Sequence, residues 1–446
     1  MLAALLLADR ATVTNMICTH AGQQRDWTAA YRLYSRSRVD EGVLFDAALN
    51  EVLAALPEGE PLVVAMDDTI IRKCGTHIDG VSWRRDPLGP HFQTNLVRAQ
   101  RFLQMSAAWP LKGGQARMIP VVFDHAPSAR KLAKDASPEE VGEYREKARQ
   151  MCLNTQAIKE MKAVREKCPV DRAVIFCGDG SYTNTAVIKN LPAHSTYIGR
   201  IRKDAKLYEM PLTRAAKANG RPRCYGPEVE TPEKLRTDDS IPWQSVRAFA
   251  AGKEHDFRVK TLGPVRWRKS GTEQALRVVV IAPLGYRLRK GGKLLYRNPA
   301  FLICTDPALP LEKLVQSYLW RWGIEVNFRE EKTLVGAGDA QVRTPASNRH
   351  LPAVLVAAYA FLCLAALRMH KARTLPQTMA RPKWRKGHES GESLPSCGDL
   401  LRTLRAEIWS RALSSSSLSD FAHMTPQNAK SQKPNPSLPS MLFCAA

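Results

Sequence analysis

The chain has 446 residues, enough for about three domains of roughly 150 residues each. Hydrophobic residues make up 44% and charged residues 24%, which excludes a largely disordered chain, a collagen and a small disulfide-rich protein. The formal net charge is +23, and this surplus indicates a polyanionic partner, most often nucleic acid. Charge alone does not distinguish a DNA enzyme from an RNA-binding protein.

Cysteine usage and apolar segments indicate the compartment. The ten cysteines form no C-x-x-C pair, which is typical of a reducing cytosol and provides no zinc pattern. The short apolar start at 1–8 lacks a preceding basic region, so we expect no signal peptide. The uncharged run Leu351–Leu367 contains Pro352 and many alanines, which favours a buried core helix over a membrane span. We therefore predict a cytoplasmic protein without a membrane partner.

The first predicted elements are helices, over 1–56, where Asp26 caps a segment and Pro57 ends the last apolar periodicity. From residue 61 the pattern changes to continuous apolar runs, separated in part by a charged helical segment. The runs are Leu62–Met66, Phe102–Trp109, Met118–Phe123, Ala173–Cys177 and Thr196–Ile201. Such runs, interleaved with helices, predict an α/β fold with a partly parallel, mixed sheet covered on both faces.

The segment 205–299 has a different composition, rich in Pro, Gly and basic residues with alternating strand-like pieces, and predicts a mostly β insertion. A strand and a helix over about Leu311–Leu334 then continue the main domain. A Ser/Pro-rich end cannot build a core, so we expect disorder there. The predicted division is 1–56 helical and DNA-binding, with truncation of its start left open, 57–204 and 300–370 main domain, 205–299 insertion, 371–412 basic helical region and 413–446 disordered tail.

One predicted helix carries a stripe of polar side chains. At about 100° per residue, four of them fall within about 60° of arc and a fifth joins them. They are Tyr318, Arg321, Glu325, Lys332 and, joining them, Arg329. Taken alone, this stripe fits a solvated helix face with ion pairs between residues i and i+4.

Two acids elsewhere change that interpretation. Asp68, with Asp67 beside it, and Asp179 each follow a buried-type strand, where sites form in open α/β sheets. One such Asp is usually a turn or helix cap. Two of them together with Glu325 predict a metal site, because three carboxylates can hold two divalent cations about 3.5–4 Å apart and Mg²⁺ prefers oxygen ligands. Asp124 also ends a strand and is a rival ligand.

The spacing Y-x2-R-x3-E-x6-K at 318–332 is similar to the signature of DDE transposases of the insertion-sequence-four superfamily. The segments 66–69 and 178–184 resemble those that carry the first and second Asp of that family. The start at 5–15 and the Trp27–Arg38 helix resemble its insertion sequence 701 branch. The resemblance covers roughly 1–410 and implies a ribonuclease-H-like catalytic domain, interrupted by a β insertion before the Glu helix.

The resemblance also implies roles for individual residues. Asp68, Asp179 and Glu325 would be catalytic and would hold two Mg²⁺ ions, with Mn²⁺ as a substitute and Asp67 as the alternative first ligand. Tyr318, Arg321 and Lys332 would contact DNA phosphates, and Arg329 lies on the same stripe. Trp267 is either a residue that stabilises a flipped base or a core residue. Its neighbours Arg266 and Arg268 are further candidates for DNA contact.

The predicted function is that of a transposase of a bacterial insertion sequence. It would bind double-stranded DNA at terminal inverted repeats, hydrolyse the phosphodiester at each end and join the 3′-OH to target DNA, as a homodimer on DNA. Two alternatives stay open. One is a structure-dependent, ribonuclease-H-like nuclease without strand transfer, and the other is a decayed DNA-binding derivative.

Overall fold

The computed structural model describes residues 1–7, 10–19, 26–75, 77–90, 92–212, 223–271, 273–289, 291–374 and 394–414. They form two compact units. Unit 1 contains Met1–Ala48, Ile71–Ala99 and Val326–Ala446, and unit 2 contains Leu49–Ile70 and Gln100–Glu325. Residues 375–393 of the basic helical region expected at 371–412, and residues 415–446 of the tail expected to be disordered, lie outside the described residues.

The helices alternate with strands along the chain. The helices are α1 (Leu2–Leu6), α2 (Val13–Thr19), α3 (Trp27–Ser35), α4 (Glu41–Ala55), α5 (Pro138–Gln150), α6 (Leu153–Lys167), α7 (Thr185–Lys189), α8 (Pro232–Thr237), α9 (Leu311–Trp320), α10 (Gly323–Thr333), α11 (Pro345–Lys371) and α12 (Cys397–Ser414). The strands are β1 (Leu62–Arg72), β2 (Ser82–Arg85), β3 (Leu96–Pro110), β4 (Ala116–His125), β5 (Val174–Gly178), β6 (Ser195–Arg200), β7 (Leu207–Glu209), β8 (Glu228–Val229), β9 (Gln244–Ala250), β10 (Lys253–Trp267), β11 (Leu276–Ile281), β12 (Gly285–Tyr286), β13 (Leu295–Tyr296) and β14 (Ala300–Cys304).

The large sheet of unit 2 is mixed. Its first half has the order β4-β3-β1-β5-β6, in which β1 pairs parallel with β5 and β5 pairs parallel with β6. All five residues of β5 are buried, as expected for a parallel strand covered on both faces. This mixed sheet with flanking helices is a ribonuclease-H-like fold, which confirms the fold class that the sequence predicted.

The second half of the sheet is antiparallel. Strand β14 pairs with β6, and β11, β10 and β9 follow in order. The last residues of β10 also pair with β7. Strands of the segment 205–299 are therefore part of the same sheet: β11 is hydrogen-bonded to β14, and β14 is hydrogen-bonded to β6 of the parallel half.

Unit 1 is mainly helical. Its long helix α11 is apolar and long enough to cross a membrane by composition, but 83% of its most apolar window is buried. It is a core helix of this unit, as the sequence predicted. Helix α12 is tied to α1, because Arg405 Nε donates to Leu5 O at 2.9 Å and Trp409 Nε1 donates to Leu6 O at 3.1 Å. A short hairpin of β2 with the start of β3 completes the unit.

Candidate active site

The site is built at the carboxyl ends of the parallel strands in unit 2. Strand β1 aligns Ala65 with Cys177 of β5. Two residues further on, Asp67 still belongs to β1, whereas Asp179 directly follows Gly178, the last residue of β5. The two acids therefore form a row at the carboxyl ends of neighbouring parallel strands. The next strand aligns Gly178 with Gly199, so Arg200 of β6 continues the row past Asp179.

The two neighbouring acids of β1 have different surroundings. Asp67 lies among like charges: burial, followed by repulsion from Asp179 and Glu325, raises the pKa of Asp67 to about 8. Asp68 Oδ1 accepts a hydrogen bond of 3.4 Å from the Tyr182 hydroxyl. The structure therefore brings together Asp67, Asp179 and Glu325, which we call the carboxylate cluster.

Arg321 is the counter-charge of this cluster. Its Nη1 lies 3.5 Å from Asp67 Oδ2, and the two side chains are only 11% and 14% exposed. Burial opposes the charge of this guanidinium, but Tyr318, Asp67 and the other acids of the cluster hold the pKa of Arg321 above its usual value. Its Nε is buried and has no hydrogen-bond partner among the described residues. The guanidinium lies 5.5 Å from the centre of the Tyr318 ring.

The loop after β5 holds Asp179 in place. Both the backbone N–H and the hydroxyl of Ser181 donate to Asp179 Oδ1, at 2.8 and 2.7 Å, and the Thr183 hydroxyl donates to the Asp179 carbonyl at 2.8 Å. Asn184 then caps α7 through its side-chain oxygen. This turn chemistry follows directly from the polar residues of the segment 178–184.

Two glycines make room for tyrosines beneath the cluster. A Cβ on Gly178 would lie 2.5 Å from the Tyr197 hydroxyl, and a Cβ on Gly199 would overlap Thr183 Oγ1. Burial raises the pKa of both Tyr182 and Tyr197, so their hydroxyls stay protonated and can donate. Neither tyrosine is among the site residues predicted from the sequence, although Tyr182 lies in the segment that carries Asp179.

Glu325 enters the site from a short turn, and here the prediction of one continuous helix was wrong. The chain forms α9 and α10, which are separated at Arg321 and Trp322. Around this turn, N–H groups donate to carbonyls three residues back, including Glu325 N to Trp322 O at 3.1 Å. The tighter winding changes the angle per residue, so the stripe calculated at a constant 100° does not hold across the turn.

A glycine lets the start of α10 approach the sheet. A Cβ on Gly323 would overlap Met118 of β4. In addition, Trp320 Nε1 donates to Gly114 O at 2.8 Å, just before β4. These contacts fix the position from which Glu325 joins the cluster.

The other predicted residues lie elsewhere. Arg329 and Lys332 belong to unit 1. Trp267, at the end of β10, is 6% exposed, and Arg266 is buried and donates to the Cys224 carbonyl. Arg268 is exposed, with its guanidinium 6.0 Å from the Tyr225 ring centre. Asp124 pairs with Leu103, and β3 separates its strand from β1.

The donor set suits a hard divalent cation. All three groups of the cluster offer carboxylate oxygens, the ligands that Mg²⁺ prefers, and a cation would relieve the repulsion felt by Asp67. Among the described residues, no three His, Cys, Asp or Glu side chains lie close enough to chelate one ion as they stand. The ligand type and the negative charge of the cluster therefore fit a divalent metal ion, whereas the described side chains are not close enough together to coordinate one as they stand.

Comparison with known proteins identifies the family. No curated protein matches the chain. Residues 1–274 match the family described as DDE superfamily endonuclease; this stretch includes Asp67 and Asp179 and ends before Glu325. Because the match covers more than half of the chain, the protein belongs to the DDE superfamily endonucleases.

Proposed function

We propose that the protein is a transposase of a bacterial insertion sequence, of the insertion-sequence-four superfamily and its insertion sequence 701 branch. The observation that carries this proposal is the carboxylate cluster at the strand ends, where Asp67 is held against Asp179 and Glu325. Family membership supports a transposase-like nuclease acting on DNA. The role in an insertion sequence and the joining of ends to target DNA are the proposed steps beyond it.

We assign the three metal ligands to Asp67, Asp179 and Glu325, with Asp67 in place of its neighbour Asp68. Repulsion from Asp179 and Glu325 acts on Asp67, whereas Asp68 accepts a hydrogen bond from the Tyr182 hydroxyl. The residues would hold two Mg²⁺ ions, for which Mn²⁺ would substitute. When bound, the ions would lower the pKa of an attacking water and stabilise the leaving 3′ oxygen.

The protein's own groups would position the DNA. Arg321, nearly buried and with an unsatisfied Nε, offers donors to a phosphate beside Asp67. Tyr318, a buried residue whose ring centre lies 5.5 Å from that guanidinium, would help to position it. Arg329, Lys332 and the exposed Arg268 remain proposed backbone contacts. Arg266 is left out, because its guanidinium is buried and bound to a carbonyl.

The mechanism needs no covalent bond between protein and DNA. The same carboxylates would serve hydrolysis at each transposon end and attack by the freed 3′-OH on target DNA. Because two ends must be joined, we propose that the protein acts as a homodimer on double-stranded DNA. The net charge of +23 supports sequence-independent attraction to the phosphates.

The test uses the full chain, Mg²⁺ and a DNA fragment that carries the nucleotides flanking the gene. We expect nicks at short inverted repeats, and joined products when pre-cleaved ends are supplied with target DNA. Asp179→Asn and Glu325→Gln should abolish cleavage while DNA binding, measured by gel shift, persists. Cleavage without joined product would indicate the alternative nuclease, and cleavage by either variant at the wild-type rate would refute the ligand assignment.

A further inference from the structure

A cleft in unit 2 borders the carboxylate cluster. Its volume is 1080 Å³, and its wall includes Gly180, the residue directly after Asp179. It also includes Arg200, which continues the row formed by Asp67 and Asp179. On the far side the wall reaches Trp267 and Lys269 at the end of β10. The cleft therefore connects the candidate site with the antiparallel half of the same sheet.

The lining of the cleft is strongly basic. It contains five cationic side chains and one acid. The acid, Glu233, is occupied by Arg236, whose Nη2 and Nε lie 2.7 and 3.0 Å from its carboxylate oxygens. Arg202 is likewise paired with Asp204, through two contacts of 2.8 Å.

Three cations of the lining are left for a ligand. Arg200, Lys203 and Lys269 are exposed and form no ion pair within 4.0 Å with any residue that the structure describes. Lys203 and Lys269 act only at longer range on Glu233 and Asp204, where they help to lower the pKa of those acids. Neighbouring strands are about 4.8 Å apart, so the backbone of Arg200 lies about one strand spacing from the row of acids. A ligand bound by these cations would begin next to the carboxylate cluster.

The volume of the cleft limits the size of the ligand that it can hold. Its volume is near the upper end of pockets that enclose one small molecule, about 300–1,000 Å³. This is enough for a few nucleotides of a single strand and too small for a duplex. The aromatic residues of the wall, Trp267 and Phe301, are each only 6% exposed, so they offer little ring surface for stacking.

We propose that this cleft binds an unpaired stretch of the DNA strand beside the cleaved phosphodiester, and that it holds the strand by its backbone phosphates. The inference rests on the proposed function, because it assumes that a DNA end reaches the carboxylate cluster. Arg200, Lys203 and Lys269 each neutralise a phosphate. The bases contribute little, which makes the binding independent of sequence.

The test measures binding to three fluorescent duplexes of one sequence by anisotropy, with the full chain and EDTA so that nothing is cut. One duplex is blunt, one has a 5′ overhang and one has a 3′ overhang. We expect tighter binding of one overhang, whose polarity reports the direction of the strand in the cleft. An overhang of abasic nucleotides should bind as tightly as the normal one.

Paired variants isolate the cations of the cleft. Lys203→Ala with Lys269→Ala should remove the preference for the overhang. The double variant should also make the slope of log K against log salt concentration shallower by about 1.4, because each lost contact to a single-strand phosphate accounts for about 0.7. Lys203→Arg with Lys269→Arg should retain both. The matched control is Lys206→Ala with Lys234→Ala, which removes the same charge from exposed lysines outside the lining. This control variant should bind all three duplexes more weakly, by the same factor for each.

Each result decides the inference. Equal binding of the three duplexes by the wild-type protein would overturn it, as would loss of the overhang preference in the control pair. Loss of binding with the abasic overhang would show base recognition and refute the phosphate assignment. If the protein cleaves DNA in Mg²⁺ but ignores overhangs, only the cleft assignment fails. If it prefers an overhang but never cleaves, the proposed function fails, and with it the placement of the strand beside a cleaved phosphodiester; only the binding of an unpaired strand by the cleft then stands.

Discussion

The two halves of the unit 2 sheet differ in the surroundings of their buried charges. In the antiparallel half, Lys260 is only 1% exposed, yet its Nζ donates to the carbonyls of Asp238 and Arg236, at 2.5 and 3.3 Å, and lies 4.6 Å from the Trp243 ring centre. In the parallel half, Asp67 is buried against two further acids, and repulsion helps to raise its pKa to about 8.

This difference separates charges that hold the fold from charges reserved for chemistry. A buried cation with backbone acceptors is satisfied within the protein and stabilises the elements it joins. A buried acid whose pKa is raised by neighbouring like charges costs stability, and such groups concentrate at functional sites. Removing a charge should therefore lower activity in the parallel half and lower stability in the antiparallel half.

The largest expected effect separates the two neighbouring acids of β1. Asp67→Asn should lower the rate of Mg²⁺-dependent DNA cleavage by about 1,000-fold or more, because it removes one member of a set that acts as a unit. Asp68→Asn should keep the rate within about tenfold, since its partner is Tyr182. Single-turnover cleavage gels would measure both, and circular dichroism would confirm folding. The opposite order of the two rates would return the assignment to Asp68.

The next effect concerns stability in the antiparallel half. Lys260→Met should lower the free energy of unfolding by about 1–3 kcal/mol, because the two carbonyls lose their donor. Lys253→Met, on the exposed part of the same strand, should change it by less than about 0.5 kcal/mol. Urea unfolding would measure both variants. Cleavage per folded molecule should stay at the wild-type level in each, and a stable Lys260→Met protein would contradict the structural role.

The smallest effect is a gain of stability in the parallel half. At pH 9, above the raised pKa of Asp67, and without divalent cations, Glu325→Gln should raise the free energy of unfolding by about 1 kcal/mol, since it removes a repulsion acting on the ionised Asp67. Mg²⁺ at 100 times its dissociation constant should stabilise the wild type by about 2.7 kcal/mol and this variant by less. Thermal unfolding with and without Mg²⁺ tests this, with the exposed Glu312→Gln as control. An equal Mg²⁺ response in Glu325→Gln would exclude Glu325 as a ligand.

The sequence determined much of the fold. The apolar runs at 62–66 and 173–177 became strands of the parallel half, because side chains buried on both faces of a sheet must all be apolar. Asp26 caps α3 by accepting from Thr28 N, which is local chemistry that the sequence states directly. The sequence pattern also predicted that Asp179 and Glu325 belong to the candidate site.

Only the tertiary structure decided which acid of the pair Asp67 and Asp68 joins them. Strand periodicity says that the two point to opposite faces, but the face that carries the site depends on register with β5, a contact between residues more than 100 positions apart. Tertiary structure also decided the turn at Arg321, beside which Gly323 packs against β4. It likewise decided the cleft between the ends of β6 and β10. Local patterns specify the elements, whereas long-range pairing specifies which side chains meet.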